Sequence, residues 1–316
     1  MRYSLTLLAF VAITFLYSCS SNPYASTNRA HKKKIKAYTK SLKAVPSAAP
    51  DEELLQMGDY WVGTTNFNMR KANYVVIHHT AQNSTEKTLQ TFTTPSTVVS
   101  AHYVIGSDGK VYHMLNDYLR AWHGGIGKWG SNTDLNSSSI GIELDNNGSE
   151  PFSDAQINSL LQVLAVLKKT YGIPTANFIG HSDIAPTRKV DPNPTFPWKK
   201  LAENGFGLWY DEDVLNRTAI LDRDIILDSA AVLDSTVSLD SVIIFKRTIV
   251  VNKSILNDSI PASFNPQEAL RIIGYDTQDL EAAIKAFKLH FIQSDLSATL
   301  TEEDKRVLYN LYKKYL

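Results

Sequence analysis

Cysteine is almost absent from the 316-residue sequence: Cys19 is the only one. A disulfide framework is excluded, and so is a thiolate metal site or a cysteine nucleophile further along. An excess charge of either sign is also missing, because 32 Lys and Arg balance 32 Asp and Glu. Nothing global therefore steers the chain towards nucleic acid or another strongly charged partner. Long apolar runs are lacking too. Only Leu5 to Leu16 qualifies, short of the roughly 20 residues a membrane span needs. At 43% hydrophobic and 20% charged, the composition is that of a globular protein with room for a catalytic domain and a smaller unit.

That apolar run carries an address. Arg2 precedes it and Leu16-Tyr17-Ser18-Cys19 closes it, a tetrapeptide that resembles a bacterial lipobox. The expectation is a signal peptide over 1–19, cleavage before Cys19, and acylation of that cysteine as a membrane anchor. Ser20 fits delivery to the outer membrane, facing the periplasm. Seven Lys or Arg residues follow between Arg29 and Lys43, with no acid before Asp51, so 20–50 reads as a flexible basic tether.

Regular structure is expected from about residue 51. Asn73 to His79 is a β-branched run, and Ala101 to Tyr112 reads as two strands joined at Asp108-Gly109. Ile140-Gly141-Ile142-Glu143-Leu144 alternates, which puts its apolar residues on one sheet face and Glu143 on the other beside Gly141. Ser153 and Gln156 form a candidate capping box ahead of the stripe Ile157, Leu160, Leu161, Leu164 and Leu167, and Gly172 and Pro174 end the helix. This is a mixed α/β domain over 51–205, a central sheet flanked by helices. Gly180 to Trp198 carries four prolines and is expected to be a long functional loop. Leu-Asp then recurs every six residues from 221 to 240, within a linker or insertion over 206–262. From 263 to 316 the pattern is that of a small helical domain, with Leu280, Ile284, Phe287 and Leu289 on one helix and Leu308, Leu311 and Leu316 on the last.

The chemistry-bearing residues are His78, Glu143, His181 and Asp191, with Lys189 two places before Asp191. Two neutral imidazoles and a carboxylate suit zinc with one open position, where the ion lowers the pKa of water to about 7 and polarises a carbonyl. Asp183 competes with Asp191 for the ligand role. Glu143 is suited to general base and then general acid work, and Lys189 to stabilising an oxyanion. His79 alternates away from His78, towards packing or support of a ligand. His102 and His123 either line the cleft and touch substrate or make structural hydrogen bonds. Trp122, Trp129 and Trp198 have rings suited to stacking on sugars, but aromatic residues are more often core, so all three are left out of the expected site.

Three strings, Val76-Ile77-His78-His79-Thr80-Ala81, Ile140 to Leu144 and Gly180-His181-Ser182-Asp183 through Lys189-Val190-Asp191-Pro192, together resemble the type-2 N-acetylmuramoyl-L-alanine amidases. Ser100 to Ile105 and Ala121-Trp122-His123-Gly124-Gly125 extend the likeness over most of 70–198. The resemblance implies one zinc ion on His78, His181 and Asp191, Glu143 and Lys189 as the catalytic pair, and hydrolysis of the muramic acid to L-alanine amide of peptidoglycan or muropeptides by a monomer. Within that family the sequence is most similar to a lipoprotein amidase whose C-terminal helical domain is of the peptidoglycan-binding type, a signature seen in Ile273-Gly274-Tyr275-Asp276 and Ala283 to Phe291. A receptor-like module that binds without cutting, and a metallopeptidase acting within the stem peptide, are the rival readings.

Overall fold

A computed structural model describes residues 22–43, 64–66, 68–215 and 260–316. The expected signal peptide with Cys19 and the Leu-Asp repeat lie outside the described residues. The chain divides into two compact units between Asn68 and Met69.

In the first unit the basic stretch forms an α-helix, α1 (Ala25–Lys43), and none of its residues is buried. It contains neither Gly nor Pro, and Ala, Lys and Leu are good helix formers, so local propensity favours the helix without any packing partner.

The second unit is built on a five-stranded sheet in the order β3-β2-β4-β1-β5. Its strands are β1 (Tyr74–His79), β2 (Tyr103–Ile105), β3 (Val111–His113), β4 (Ser139–Leu144) and β5 (Phe178–Gly180). Only β2 and β3 pair antiparallel, across the expected turn, where Gly109 holds φ at +82°. Helix α2 (Thr85–Thr93) lies between β1 and β2, and the short α3 (Leu135–Ser138) leads straight into β4. Ile140, Ile142 and Leu144 share one buried cluster with Val75, Ile77 and Ile105, and α4 (Asp154–Tyr171) closes it through Ile157, Leu160, Leu164 and Leu167. Each such side chain contributes about 1.5–3 kcal/mol by leaving water.

Ser153 caps α4 by accepting from Gln156 N, but the Gln156 side chain does not complete a capping box. It donates instead to Ile105 O and Asp145 O, tying the helix to the ends of β2 and β4. The proline-rich segment also holds more structure than expected, including the helical turn α5 (His181–Ile184) directly after β5, followed by α6 (Trp198–Glu203). The Gly180 amide donates to the Asp183 carboxylate at 2.6 Å, which lets α5 start without a longer lead-in.

Three helices close the chain: α7 (Pro266–Ile273), α8 (Leu280–Phe291) and α9 (Glu302–Tyr315). Ala283, Ile284, Phe287, Leu308 and Leu311 are buried in one cluster with Val76 of β1, Ile179 of β5 and Ile184 of α5. Leu316, expected on the same stripe, is 79% exposed, because α9 has ended before it. The helices thus pack on the opposite face of the sheet from α4, and the residues that looked like a binding-domain signature make that joint. Gly130 N donates to Gly274 O at 2.7 Å, Tyr275 packs edge-on against Trp129, and Asp276 pairs with Lys128 at 3.3 Å. A Cβ on Gly274 would meet the Trp129 ring at 2.4 Å, so this close approach requires glycine.

Candidate metal centre

Parallel register brings the first two groups together. His78 and Glu143 are paired positions on adjacent strands β1 and β4, and both side chains leave the sheet on the same face at the strands' carboxyl ends. Next to β1 on its other side, β5 runs into α5, whose first residue is His181. Asp191 returns to the same point, its own carbonyl held by Ser182 N at 2.8 Å.

The outcome is a buried triangle. His78 Nδ1 lies 2.8 Å from His181 Nδ1, and Asp191 Oδ2 is 3.2 Å from the first and 3.0 Å from the second. Their other ring nitrogens decide what these atoms offer. His181 Nε2 faces Gly124 O at 3.2 Å, and a carbonyl can only accept, so the proton is on Nε2 and the lone pair on Nδ1. His78 Nε2 faces His123 Nδ1 at 3.1 Å, and His123 Nε2 faces Ser139 Oγ at 3.2 Å, whose hydroxyl donates to Leu135 O. Read from that terminal carbonyl backwards, each group accepts from the next, leaving His78 with its Nδ1 lone pair free.

Electrostatics agree with that reading. Burial holds His78 neutral, its pKa lowered to about 4. Burial pushes the Asp191 carboxyl up; only protons on the facing nitrogens of His181 and His78 would outweigh that and hold it far below the usual range, so with those nitrogens unprotonated the carboxylate needs a cation in their place. Three lone pairs aimed at one another from buried positions repel unless a cation lies between them, and this donor set is that of a divalent metal ion. The Glu143 carboxylate comes within 3.9 Å of His78 Nδ1. Burial first and the Asp191 anion second push its pKa up to about 8, against the pull of Lys189.

These groups line a cleft of about 400 Å³ together with Lys189. Trp122, 44% exposed, also lines it, as do Arg188, from the string ending at Pro192, and Gln82 and Phe92, which nothing in their sequence context singles out. Trp122 sits beside His123 in a quoted string, the one signal that pointed towards it. His123 reaches the cleft only at its edge and is mainly the support behind His78; Gly141 makes room for it, since a Cβ there would lie 2.3 Å from the ring. His102 is fully buried below, taking a bond from Gly141 N at 3.0 Å and facing Leu119 O with Nε2 at 3.0 Å. His79 accepts from Asn193 N at 3.1 Å, steadying the segment after Asp191. Trp129 and Trp198 are buried, Trp198 stacked on His290 at 3.8 Å. Asp183 is fully buried and engaged elsewhere: besides Gly180 N it accepts from Tyr275 Oη and His290 Nδ1, each at 2.8 Å. It joins the metal loop to α8 and leaves the ligand position to Asp191.

A sheet with a buried two-histidine, one-aspartate cluster at its carboxyl edge defines a candidate metal-site architecture, and comparison with known proteins narrows it. Residues 68–194 match the family described as N-acetylmuramoyl-L-alanine amidase. The chain is 38% identical over 158 residues to the N-acetylmuramoyl-L-alanine amidase AmiD of Escherichia coli (strain K12), covering 45% of this chain and 56% of that protein. It is 39% identical over 103 residues to the 1,6-anhydro-N-acetylmuramyl-L-alanine amidase AmpD of Haemophilus influenzae, covering 32% of this chain and 56% of AmpD. The matched region thus spans just over half the length of these curated relatives. Among solved structures, E. coli AmiD in complex with anhydro-N-acetylmuramic acid-L-Ala-D-gamma-Glu-L-Lys has a TM-score of 0.59 at 26% identity, covering 80% of this chain and 93% of that one. AmpDH3 from Pseudomonas aeruginosa in complex with anhydromuramic pentapeptide gives 0.60 at 26% identity, covering 83% and 99%. The fold is the one these amidases share, helical C-terminal region included.

Proposed function

We propose that this protein is a zinc-dependent N-acetylmuramoyl-L-alanine amidase, which hydrolyses the amide between the lactyl group of muramic acid, intact or anhydro, and the L-alanine of the stem peptide. The observation that carries the reading is the convergence of His78 Nδ1, His181 Nδ1 and Asp191 Oδ2 within 2.8–3.2 Å at a cleft that also holds Glu143. The substrates in the AmiD and AmpDH3 complexes support the substrate class. His78, His181 and Asp191 would hold the zinc ion, which when bound supplies an acidified water and a Lewis acid for the carbonyl.

The chain's own groups handle the protons. Glu143 takes one proton as the oxygen of water bonds to the amide carbon, and returns it to the nitrogen as the carbon–nitrogen bond breaks. One water is consumed, leaving a lactyl carboxylate and a free L-alanine amino group. Lys189 lines the cleft, and its ammonium is suited to meeting the negative charge that develops on the carbonyl oxygen. The Cys19 lipobox supports an envelope location, with acyl chains holding the enzyme at the outer membrane on the periplasmic side.

Mass spectrometry of sacculi and purified muropeptides digested with and without zinc tests the activity. Free stem peptides beginning at L-alanine, lost on chelation and regained with zinc, are expected. Shortened peptides would instead assign a metallopeptidase, and binding with no products a receptor-like module.

A further inference from the structure

Helix α1 plays no part in the chemistry above, yet its residues are far from randomly placed. At 100° per residue, six of its seven cations, Arg29, Lys32, Lys33, Lys36, Lys40 and Lys43, fall within an arc of about 100°. Ile35, Tyr38 and Leu42 gather on a second face centred about 140° away, with Tyr38 47% and Leu42 81% exposed. The seventh cation, Lys34, lies over the Tyr38 ring at 5.8 Å and so attends the apolar face. No acid interrupts the helix and none of its residues is buried. No helix among the described residues is long and apolar enough to cross a membrane. A helix with one cationic and one apolar face, too polar to span, has the composition of one that lies in the plane of a lipid surface.

We propose that α1 is a membrane-surface helix that binds anionic lipid headgroups through its cationic arc while Ile35, Tyr38 and Leu42 enter the acyl boundary. Charge complementarity selects the occupant. Phosphodiester headgroups offer the arc its counterions, and only a bilayer also offers the adjoining face an apolar phase, which a hydrated sugar-peptide mesh does not. Each Lys or Arg near such a surface strengthens partitioning roughly five-fold, so six on one arc make a substantial second attachment. The expected acyl site at Cys19 lies shortly before the helix, so lipid chains and cations would act on the same surface, although the helix binds without the acyl group.

The test uses the full chain carrying Cys19→Ser, so that no acyl group is attached, in sedimentation with vesicles of phosphatidylcholine alone or with added phosphatidylglycerol. Any contribution of the amino-terminal apolar run is common to both vesicle types and cancels in the comparison. Expected are clearly tighter binding to the anionic vesicles, a steep loss with added salt, and a roughly 100-fold or greater loss for Lys32→Glu/Lys36→Glu/Lys40→Glu. Ile35→Ser/Leu42→Ser should weaken binding to the same vesicles several-fold at fixed charge. Unchanged muropeptide cleavage by these variants would show the fold intact. Equal binding to neutral and anionic vesicles, or an unaffected charge-reversal variant, overturns the proposal. Preference for isolated sacculi over anionic vesicles also overturns it and assigns the basic arc to cell-wall carboxylates.

Discussion

Replacing Asp183 by alanine should loosen the joint between the metal loop and the C-terminal helices. The carboxylate is fully buried and accepts three bonds, from Gly180 N at 2.6 Å and from Tyr275 Oη and His290 Nδ1 at 2.8 Å. Its removal leaves three donors without a partner in an enclosed space, each costing about 1–2 kcal/mol, so about 3–6 kcal/mol in all. For a protein of this size that is a fall in Tm of roughly 5–12 °C. Because Asp183 caps the turn that begins at His181, zinc affinity should also weaken, by about 10–100-fold, as when supports of metal ligands are removed elsewhere. Urea titration and calorimetry at saturating zinc measure the first effect, and chelator competition the second. Tyr275→Phe keeps the ring in place and removes one donor of the three, so it should cost only about 1 kcal/mol. In the double variant the two costs should fail to add, since they share a bond. An Asp183→Ala chain that melts within 2 °C or so of its parent and holds zinc equally well would refute the reasoning.

Glu143→Ala should bind zinc as the parent does yet lose about 10²–10⁴ in kcat; full turnover in a metal-loaded sample would remove it as the proton carrier. Gly141→Ala drives a methyl into the His123 ring and should break the contact to His78, costing about 1–3 kcal/mol and lowering zinc affinity measured by titration. Stability of the zinc-free chain should depend on pH in two directions. His78 and His102 have pKa values lowered by burial to about 4, so the stability they contribute is present above pH 6.5 and lost as the pH falls towards 4. The Glu143 pKa is raised by burial to about 8, so its contribution is present below pH 4.5 and lost as the pH rises to 8. Between pH 6.5 and 8 only Glu143 of these three titrates, and zinc-free stability should fall by about 2 kcal/mol; urea midpoints that stay flat, or that fall as far with zinc bound, would contradict this.

Much of the sheet and its principal helix was legible because each signal is local. The alternation of Ile140 to Leu144 put Glu143 opposite the apolar face, and that is where it lies. Asp108-Gly109 turned the hairpin, and Gly172 ended α4 in the left-handed conformation expected of it. Long-range choices were not legible. Asp183 and Asp191 are both short carboxylates near His181, and only the folded chain shows that the first is taken by residues 92 and 107 positions away. Gln156 has the spacing of a capping box, but two strand-end carbonyls compete for its side chain and win. The Ile273 to Asp276 motif read as part of a ligand-binding module, although its glycine, tyrosine and aspartate all face residues of the sheet-bearing region. Helicity of the basic segment was masked by its charge, which argues for solvation but not against a helix.

The position of α8 on the sheet limits how this protein can be trimmed or recombined. A version ending at residue 194, where the amidase family match stops, would leave Val76, Ile179 and Ile184 open to water and Asp183 with neither of its distant donors. Such a fragment should clump or melt early even with every zinc ligand present. Transplanting the hydrolytic part onto another anchor therefore means carrying the last three helices along with it.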